Sequence, residues 1–217
     1  MGDRVTNFAT QQAINDSEAF FDGCFGGQVV MAILRGLAPN ETVDLCERAW
    51  ALGIEVVEVP IQNQDAVRSL RAAVSAGRER GRVVGAGTVI TVEQVNVAKG
   101  AGAVFTVAPG LDVEVVGASI RAGLAHLPGV ATPSEVQNVI KLGLSWMKVF
   151  PAAQLSPGWI QALRAPFPGA SIVATGGIDA DNAAAFLAAG ARVVAVGSAL
   201  GDPRQLKLLA EMLERFS

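Results

Sequence analysis

One of the four lysines of this chain lies where a charged side chain is costly. Lys99, Lys141 and Lys207 occur in helical stretches, where a solvated ammonium group is ordinary. Lys148 lies inside the apolar run Trp146-Met-Lys-Val-Phe-Pro151, which is typical of a buried strand. A lysine that burial drives to its neutral form can attack a ketone or aldehyde and form a Schiff base. The alternative is a lysine that reaches solvent at the strand end or pairs with a carboxylate.

Two glutamates occur in another apolar run, Ile54-Glu-Val-Val-Glu-Val-Pro-Ile61. Side chains alternate along a strand, so Glu55 and Glu58 face opposite sides. Glu55 is near the start of the run and is expected to be structural. Glu58 is near the carboxyl end, where it could approach Lys148 and act as a general acid and base. A simple ion pair between Glu58 and Lys148 is the alternative, and both interpretations can hold together.

Other polar residues and glycines follow the apolar runs. Arg35 ends the first run, and its guanidinium group suits a carboxylate or a phosphate. Thr88 ends the third run, and its hydroxyl could bind a substrate. The last two runs end in Thr175-Gly-Gly-Ile178 and Gly197-Ser198, whose backbone N–H groups could form a phosphate cradle. The alternatives are a surface arginine, an ordinary strand-end threonine and glycines that tight turns require.

The residues that commonly hold metals do not form a pattern here. His126 is the single histidine, which excludes a His-rich metal site and favours a structural role. The spacing of Cys24 and Cys46 fits neither a disulfide framework nor a metal knuckle, so both are expected to be small buried apolar residues. We therefore expect neither a metal nor another cofactor.

The elements that must position these residues follow a repeat. From about residue 28, short runs rich in Val, Ile and Ala alternate with helical stretches that usually end in glycine. Their spacing of roughly 20 to 28 residues fits a strand, a helix and two loops. The runs begin near Val29, Ile54, Arg82, Ala103, Leu124, Trp146, Ser171 and Ala191.

The ends of the helices are marked by local signals. Thr91-Val-Glu-Gln94 and Thr132-Pro-Ser-Glu135 have the capping-box pattern, and Pro133 falls at the first helical position. Ser156-Pro157 and Asp202-Pro203 combine a cap residue with proline. Glycine accepts the left-handed conformation that ends many helices. The expected stops are Gly53, Gly81, Gly100, Gly123, Gly143 and Gly190.

Eight strand and helix units indicate an α/β protein with a (β/α)₈ barrel fold. A doubly wound open sheet is the alternative, although Gly85-Ala-Gly-Thr-Val-Ile90 lacks the third glycine of a dinucleotide-binding fingerprint. We expect one domain over residues 1–217. Within it, residues 1–27 are expected to contain an extra helix, Thr10 to Phe21, that covers the bottom of the barrel.

The composition excludes several classes of protein. Apolar residues make up 51% and charged residues 17%, a balance that excludes a disordered chain. The net charge is −3 and basic residues are not clustered, which argues against a nucleic-acid partner. No stretch of about 18 residues lacks charges and helix breakers, and the amino terminus has no apolar signal core, so we expect a cytoplasmic protein. The mean hydropathy of +0.39 favours buried strands and a subunit interface.

Seven segments stand in one order along the chain: Ala32-Ile-Leu-Arg-Gly36, Glu58-Val-Pro-Ile61, Gly85-Ala-Gly-Thr-Val89, Ala108-Pro-Gly110, Lys148-Val-Phe-Pro-Ala152, Thr175-Gly-Gly-Ile178 and Gly197-Ser198. This order resembles the 2-keto-3-deoxy-6-phosphogluconate aldolases and their 6-phosphogalactonate and 4-hydroxy-2-oxoglutarate relatives. The similarity covers roughly residues 28 to 200. The lysine segment is fairly specific, although Val149 replaces the usual aromatic residue.

The resemblance implies a class I, metal-independent aldolase that is typically a homotrimer. Lys148 would form the Schiff base, Glu58 would move protons, and Thr88 would hold the pyruvyl carboxylate, which we expect Arg35 to orient. It also implies roles in the pocket and in phosphate binding for a further set of residues. Pro109, Phe150 and Thr175 would contact the substrate, and Gly176, Gly177, Gly197 and Ser198 would bind its phosphate.

Three residues give conflicting indications and leave the substrate epimer open. Gln62 stands where phosphogluconate enzymes usually have arginine, and Arg35 matches the phosphogalactonate type, but Thr175 matches the phosphogluconate type. The expected reaction releases pyruvate and glyceraldehyde 3-phosphate from a 2-keto-3-deoxy-6-phospho sugar acid. The alternatives are a 4-hydroxy-2-oxoglutarate aldolase, a phosphate-binding barrel isomerase or synthase without Schiff-base chemistry, and a sensor that binds without turnover.

Overall fold

The apolar runs form one ring of parallel strands in the computed structural model, which describes residues 8–216. The sheet order is β5-β4-β3-β2-β1-β9-β8-β7-β6. The strands are β1 Val30–Ile33, β2 Val56–Pro60, β3 Val83–Gly87, β4 Phe105–Val107, β5 Ala125–Leu127, β6 Gly129–Val130, β7 Trp146–Val149, β8 Ser171–Thr175 and β9 Val193–Val196.

The ring closes through the fifth apolar run, which Pro128 divides into two short strands. On one side β5 pairs with β4, and on the other β6 pairs with β7. Proline has no N–H group to donate, but its carbonyl still accepts a hydrogen bond from the Lys148 backbone N–H at 2.8 Å. Both ends of the sheet order therefore lie in residues 125–130. The structure confirms the (β/α)₈ barrel and excludes the open sheet.

Helices surround the ring, and most begin where the sequence predicts. They are α1 Gln11–Cys24, α2 Pro39–Ala51, α3 Gln64–Glu79, α4 Val92–Ala101, α5 Val113–Arg121, α6 Pro133–Lys141, α7 Ala152–Leu155, α8 Pro157–Arg164, α9 Ala183–Ala188 and α10 Pro203–Phe216, with a 3₁₀ helix, η1, at Ser198–Gly201. The capping box at Thr132 is complete, because the Glu135 carboxylate accepts from the Thr132 N–H at 2.9 Å. None of the helices in residues 8–216 is long and apolar enough to cross a membrane.

One predicted helix stop is wrong. Five of the six glycines take a positive φ after a helix, but Gly100 lies inside α4, and Gly102 (φ 87°) ends that helix. The reason is the buried face of α4, which includes Ala98 and Ala101 and continues past Gly100. The cap at Ser156 also differs from expectation, because its side chain makes no capping hydrogen bond to α8.

The amino-terminal end of the barrel is filled by aromatic side chains, partly from outside the ring. Helix α1 begins after the N-cap Thr10, as expected, and extends to Cys24 rather than ending at Phe21. Phe21 and Phe25 pack against Trp146 of β7, with ring centroids 6.3 and 5.1 Å away. Residues 1–7 of the predicted amino-terminal segment lie outside the described residues. The organisation of residues 1–217 as a single domain stays a prediction.

The two faces of the strands have different surroundings. Along β7, Trp146 belongs to the aromatic cluster at the barrel bottom, whereas Met147 and Val149 belong to the core that contains residues of the surrounding helices. Lys148 therefore points to the same side as Trp146, toward the barrel interior. Because bulky side chains fill only the lower part, polar groups and a cavity occupy the carboxyl-terminal end.

Candidate active site

A cavity of about 700 Å³ opens at the carboxyl ends of β1, β7, β8 and β9. This is the end at which barrel enzymes place their active sites. Its lining includes eight of the predicted site residues: Arg35, Lys148, Phe150, Thr175, Gly176, Gly177, Gly197 and Ser198. The structure thus brings together residues that are separated by up to 163 positions, as the numbers of Arg35 and Ser198 show.

Lys148 and Glu58 form a buried pair in the barrel interior. Lys148 Nζ lies 3.9 Å from Glu58 Oε1, and the two side chains are 3% and 0% exposed. Among the described residues, neither carboxylate oxygen of Glu58 has a hydrogen-bond partner. Burial raises the pKa of Glu58, while the positive charges of Lys148 and Arg35 partly oppose this shift. The pair thus joins an amine that lines the cavity to a buried carboxyl group whose pKa lies above that of an exposed glutamate.

Gly87 makes the position of the Glu58 carboxylate possible, and the sequence analysis did not identify it. Strands β2 and β3 are paired, and a Cβ atom added at Gly87 would overlap the Glu58 carboxylate. Glycine therefore leaves the space into which the glutamate side chain bends. The glycine pair in Gly85-Ala-Gly-Thr88 was the available signal, but its meaning depends on the pairing of the two strands.

Phe150 forms one wall beside the lysine. Lys148 Nζ lies 5.3 Å from the centroid of the Phe150 ring, within the range of a cation–π contact. The ring also packs against Gly176, where a Cβ atom would come within 2.9 Å of it. Gly176 has φ +97°, a conformation that residues with side chains rarely adopt. The ring and the glycine loop therefore fix each other beside the amine.

Arg35 and Thr88 meet at the mouth of the barrel. Arg35 Nη2 donates to Thr88 Oγ1 at 3.4 Å, across the ends of β1 and β3. Thr88 has φ +56°, which is unusual for a residue other than glycine and costs about 1 kcal/mol or more. This strained conformation turns the hydroxyl toward the guanidinium group. Together the two groups offer hydrogen-bond donors to an anion.

Three predicted site residues, Glu58, Thr88 and Pro109, are not among those that line the cavity. Glu58 lies behind Lys148, and Thr88 contacts Arg35, so both are one side chain away from the lining. Pro109 packs against Gly129, whose Cα is the register partner of Lys148. A role of Pro109 in substrate contact stays a prediction.

The glycine segments that follow the paired strands β8 and β9 both line the cavity. Gly176 and Gly177 have φ +97° and +72°, and Ser198 begins η1. The Gly176 carbonyl accepts from the Ala153 N–H at 3.0 Å, and the Gly177 carbonyl accepts from Asn182 Nδ2 at 2.8 Å. The lining also contains residues that the sequence analysis did not single out, among them Leu37, Leu45, Ile178, Asp179 and Gly201.

The histidine and the cysteines lie apart from this lining. His126 Nδ1 is 2.8 Å from Thr106 Oγ1, and burial lowers the His126 pKa to about 3, which fits a structural role. Burial raises the pKa of Cys24 to about 11 and that of Cys46 to about 12, so neither thiol is a ready nucleophile. In residues 8–216, no group of three or more His, Cys, Asp and Glu side chains is arranged to hold a metal ion.

An amine and a carboxyl group at the carboxyl end of a parallel barrel define a barrel enzyme suited to carbonyl chemistry. The family model described as KDPG and KHG aldolase matches residues 25–211. The chain belongs to this aldolase family, which agrees with the resemblance found in its sequence segments.

Individual relatives support the assignment. The chain is 36% identical over 175 residues to the probable 2-dehydro-3-deoxy-6-phosphogalactonate aldolase of Rhizobium meliloti, covering 80% of this chain and 82% of the relative. It is 35% identical over 167 residues to the 2-dehydro-3-deoxy-phosphogluconate aldolase of Treponema pallidum, covering 76% and 78%. A solved structure of KDPG aldolase from Legionella pneumophila matches with a TM-score of 0.76 at 28% identity, covering 89% of this chain and 96% of that one. That structure holds pyruvate captured at low pH as a covalent carbinolamine intermediate.

Proposed function

We propose that this protein is a class I aldolase that cleaves a 2-keto-3-deoxy-6-phospho sugar acid to pyruvate and glyceraldehyde 3-phosphate. The observation that carries the proposal is the buried pair at the cavity, with Lys148 Nζ 3.9 Å from Glu58 Oε1. An amine beside a carboxyl group of raised pKa has the two functions that Schiff-base formation needs, a nucleophile and a proton carrier.

The reaction begins at the C2 ketone of the sugar acid. The neutral amine of Lys148 adds to C2 to form a carbinolamine, and Glu58, directly or through a water molecule, helps to expel hydroxide as water. The product is a protonated imine, which withdraws electrons from the neighbouring carbon atoms. This cation is the electron sink of the reaction, so the chemistry needs no metal or other cofactor.

The carbon–carbon bond breaks in the second stage. Glu58 accepts the proton of the C4 hydroxyl group, the C3–C4 electron pair moves into the imine, and glyceraldehyde 3-phosphate leaves. The remaining enamine is protonated at C3 and hydrolysed, which releases pyruvate and restores the lysine. Acid and base catalysis of this kind typically contributes about 10²–10⁴-fold to the rate.

Arg35 and Thr88 bind the carboxylate of the keto acid in this proposal. The guanidinium fork matches the two oxygens of a carboxylate, and the hydroxyl 3.4 Å away adds a further hydrogen bond. Phe150 and Thr175, which line the cavity beside the lysine, contact the carbon chain of the substrate. We place Pro109 in the same wall, next to the strand that pairs with β7.

We place the phosphate group of the substrate at the glycine segments that also line the cavity, at Gly176, Gly177, Gly197 and Ser198. The support for this placement is that both segments line the cavity and come from the ends of β8 and β9. Loops at these positions frequently bind phosphate in barrels, since they expose backbone N–H groups. The substrate then lies with its keto acid at Lys148 and its phosphate at the glycines.

The state and location of the enzyme are part of the same proposal. We propose a homotrimer that works in the cytoplasm with a small phosphorylated keto acid as its partner. Ile90 lies in the loop after β3 and Val113 begins α5 after β4; they are 53% and 49% exposed, and they support a subunit interface there. The two unpaired cysteines, Cys24 and Cys46, fit a reducing compartment.

Reductive trapping tests the central claim. Wild-type protein treated with pyruvate and borohydride should gain one reduced pyruvyl group, and peptide mapping should find it on Lys148. The Lys148→Met variant should gain none, whereas the exposed control Lys141→Ala should react as wild type does. A coupled assay that detects pyruvate release from both C4 epimers would then identify the substrate. Wild-type protein that stays unmodified, or a label on another lysine, would refute the proposal.

A further inference from the structure

The proposed phosphate cradle consists of two segments that lie far apart along the chain. Gly176 and Gly177 follow β8, whereas Ser198 begins η1 after β9, and all three line the cavity. Backbone N–H groups from two segments can bind one anion well only when the segments keep a fixed relative position. Helix α10 follows η1 directly, and its first turn carries side chains that reach the other segment.

Three side chains make this connection, and we name Asp181, Arg204 and Gln205 the Asp181 cluster. Arg204 donates from Nη1 to Asp181 Oδ2 at 3.0 Å and from Nη2 to Oδ1 at 2.8 Å. Gln205 Nε2 donates to Asp181 Oδ2 at 2.8 Å, and Gln205 Oε1 accepts from the Ala180 N–H at 2.8 Å. Gln205 is 8% exposed, so water competes little for its hydrogen bonds. A planar two-point pair and a buried amide together give a directional connection.

The connection continues from the Asp181 cluster to the glycine loop. Asp179 Oδ1 accepts from the backbone N–H groups of Asp181 and Asn182 at 3.0 and 3.1 Å. Asn182 Nδ2 in turn donates to the Gly177 carbonyl at 2.8 Å. The peptide of Gly177 is therefore linked through consecutive hydrogen bonds to α10, and through α10 to η1 and Ser198.

We propose that Gln205 and Arg204 are positioning residues for phosphate recognition, which hold the Gly177–Asn182 loop at a fixed position relative to η1. This inference rests on the proposed function, because it requires that the cradle binds the phosphate of the substrate. Neither side chain needs to touch the substrate, and the Schiff-base pair is left unaffected. Their loss should therefore weaken only the contribution of the phosphate group to binding.

The experiment compares a phosphorylated sugar acid with the same sugar acid without its phosphate, using pyruvate release as the signal. For Gln205→Met, which keeps the length of the side chain but not its hydrogen bonds, KM for the phosphorylated substrate should rise about tenfold. KM for the unphosphorylated substrate and trapping by pyruvate and borohydride should match wild type. Inhibition by inorganic phosphate should weaken in parallel. Lys207→Ala on the same helix is the control, because Lys207 is 80% exposed and pairs with Glu211.

Arg204→Ala gives a second, independent variant that should fold, since the Arg204 side chain is 66% exposed. The same selective rise in KM, smaller than for Gln205→Met, is expected. An equal rise for both substrates, or no rise in either variant, would overturn the positioning role. Failure of the proposed function would look different, because wild-type protein itself would show no trapping or no advantage for the phosphorylated substrate, and the inference would be overturned with it.

Discussion

The Glu58 carboxyl group combines complete burial with the absence of any hydrogen-bond partner for its oxygens among the described residues. Leaving a charged carboxylate in such a place is costly, so burial raises its pKa above the value of an exposed glutamate. The nearby positive charges of Lys148 and Arg35 partly oppose this rise in the Glu58 pKa. A raised pKa makes the protonated form of Glu58 more available than that of an exposed glutamate, and a carboxyl group of this kind can donate a proton in one step and accept one in the next.

Replacing this carboxyl group should remove a pH dependence as well as activity. Glu58→Gln keeps the shape of the side chain but cannot transfer a proton, so kcat should fall about 10²–10⁴-fold. In wild type, activity should fall on the acidic side of the pH–rate profile, because the base form of Glu58 is lost there. Since the pKa of Glu58 is raised, this acidic limb should lie at a higher pH than an exposed glutamate would give. The variant should lack that limb. A residual profile with an unchanged acidic limb would assign the limb to another group.

His126 allows a prediction about stability rather than catalysis. Its ring is buried against Thr106, and burial lowers its pKa from 6.5 to about 3. The unfolded chain therefore binds more protons between these two values, so this contribution to stability is full above pH 6.5 and is lost as pH falls toward 3. From pH 7 to pH 5 the loss should be about 2 kcal/mol.

The histidine contribution can be isolated with a variant that does not titrate. The free energy of unfolding of wild type and of His126→Gln is measured in urea at pH 7 and at pH 5. Between these pH values, wild type should lose more stability than the variant does. The raised pKa of Glu58 has the opposite effect, because it stabilises the folded state as pH falls. This effect is present in both proteins, so it cancels in the difference between their free energies of unfolding. A difference that is the same at both pH values would contradict the assigned pKa shift of the histidine.

At the scale of elements, strand pairing decides where the glutamate lies. Pairing of β2 with β3 puts Gly87 against the Glu58 side chain, and a methyl group there would overlap the carboxylate. Gly87→Ala should therefore displace Glu58 from Lys148 and lower kcat about 10²-fold or more, while reductive trapping continues at a reduced rate. The matched control is Gly100→Ala, a solvent-facing position inside α4 with open space around it. That change should leave activity intact and stabilise the helix by about 0.5–1 kcal/mol. Equal activity of the two variants would show that the Gly87 space is not needed.

The same elements show how far the sequence alone could predict this structure. The strand and helix order and the lysine were predictable, because periodicity, capping residues and a charge in an apolar run are local signals. The roles of Pro128 and Gly87 were not predictable from the sequence. Pro128 divides the run that closes the ring into two strands, and Gly87 makes room for a side chain of the neighbouring strand. The Asp181 cluster joins residues 23 and 24 positions apart, and nothing local marks its members as partners. Roles that depend on pairing between elements require coordinates.

At the scale of the whole molecule, exposed apolar residues after β3 and β4 support the proposed homotrimer and indicate where its subunits meet. Ile90 lies between β3 and α4, Val92 begins α4, and Val113 begins α5, so all three follow the carboxyl ends of the adjacent strands β3 and β4. Helices α4 and α5 are also packed together. Exposed apolar residues at the ends of adjacent strands favour a subunit interface, and the position of Ile90 close to Thr88 in the same loop would bring a second copy near the rim of the active site.

Charges introduced at these exposed apolar positions should dissociate the proposed trimer. Wild-type protein should have a mass of three times the 22.4 kDa of one chain in light scattering, and the double variant Ile90→Asp with Val113→Asp should approach one chain. The reason is that carboxylates buried in an apolar interface lose their hydration without gaining partners. Ile140→Asp on α6, where the native side chain is 42% exposed, is the control and should stay trimeric. If the control dissociates while the double variant remains a trimer, the interface lies on the α6 side of the barrel instead.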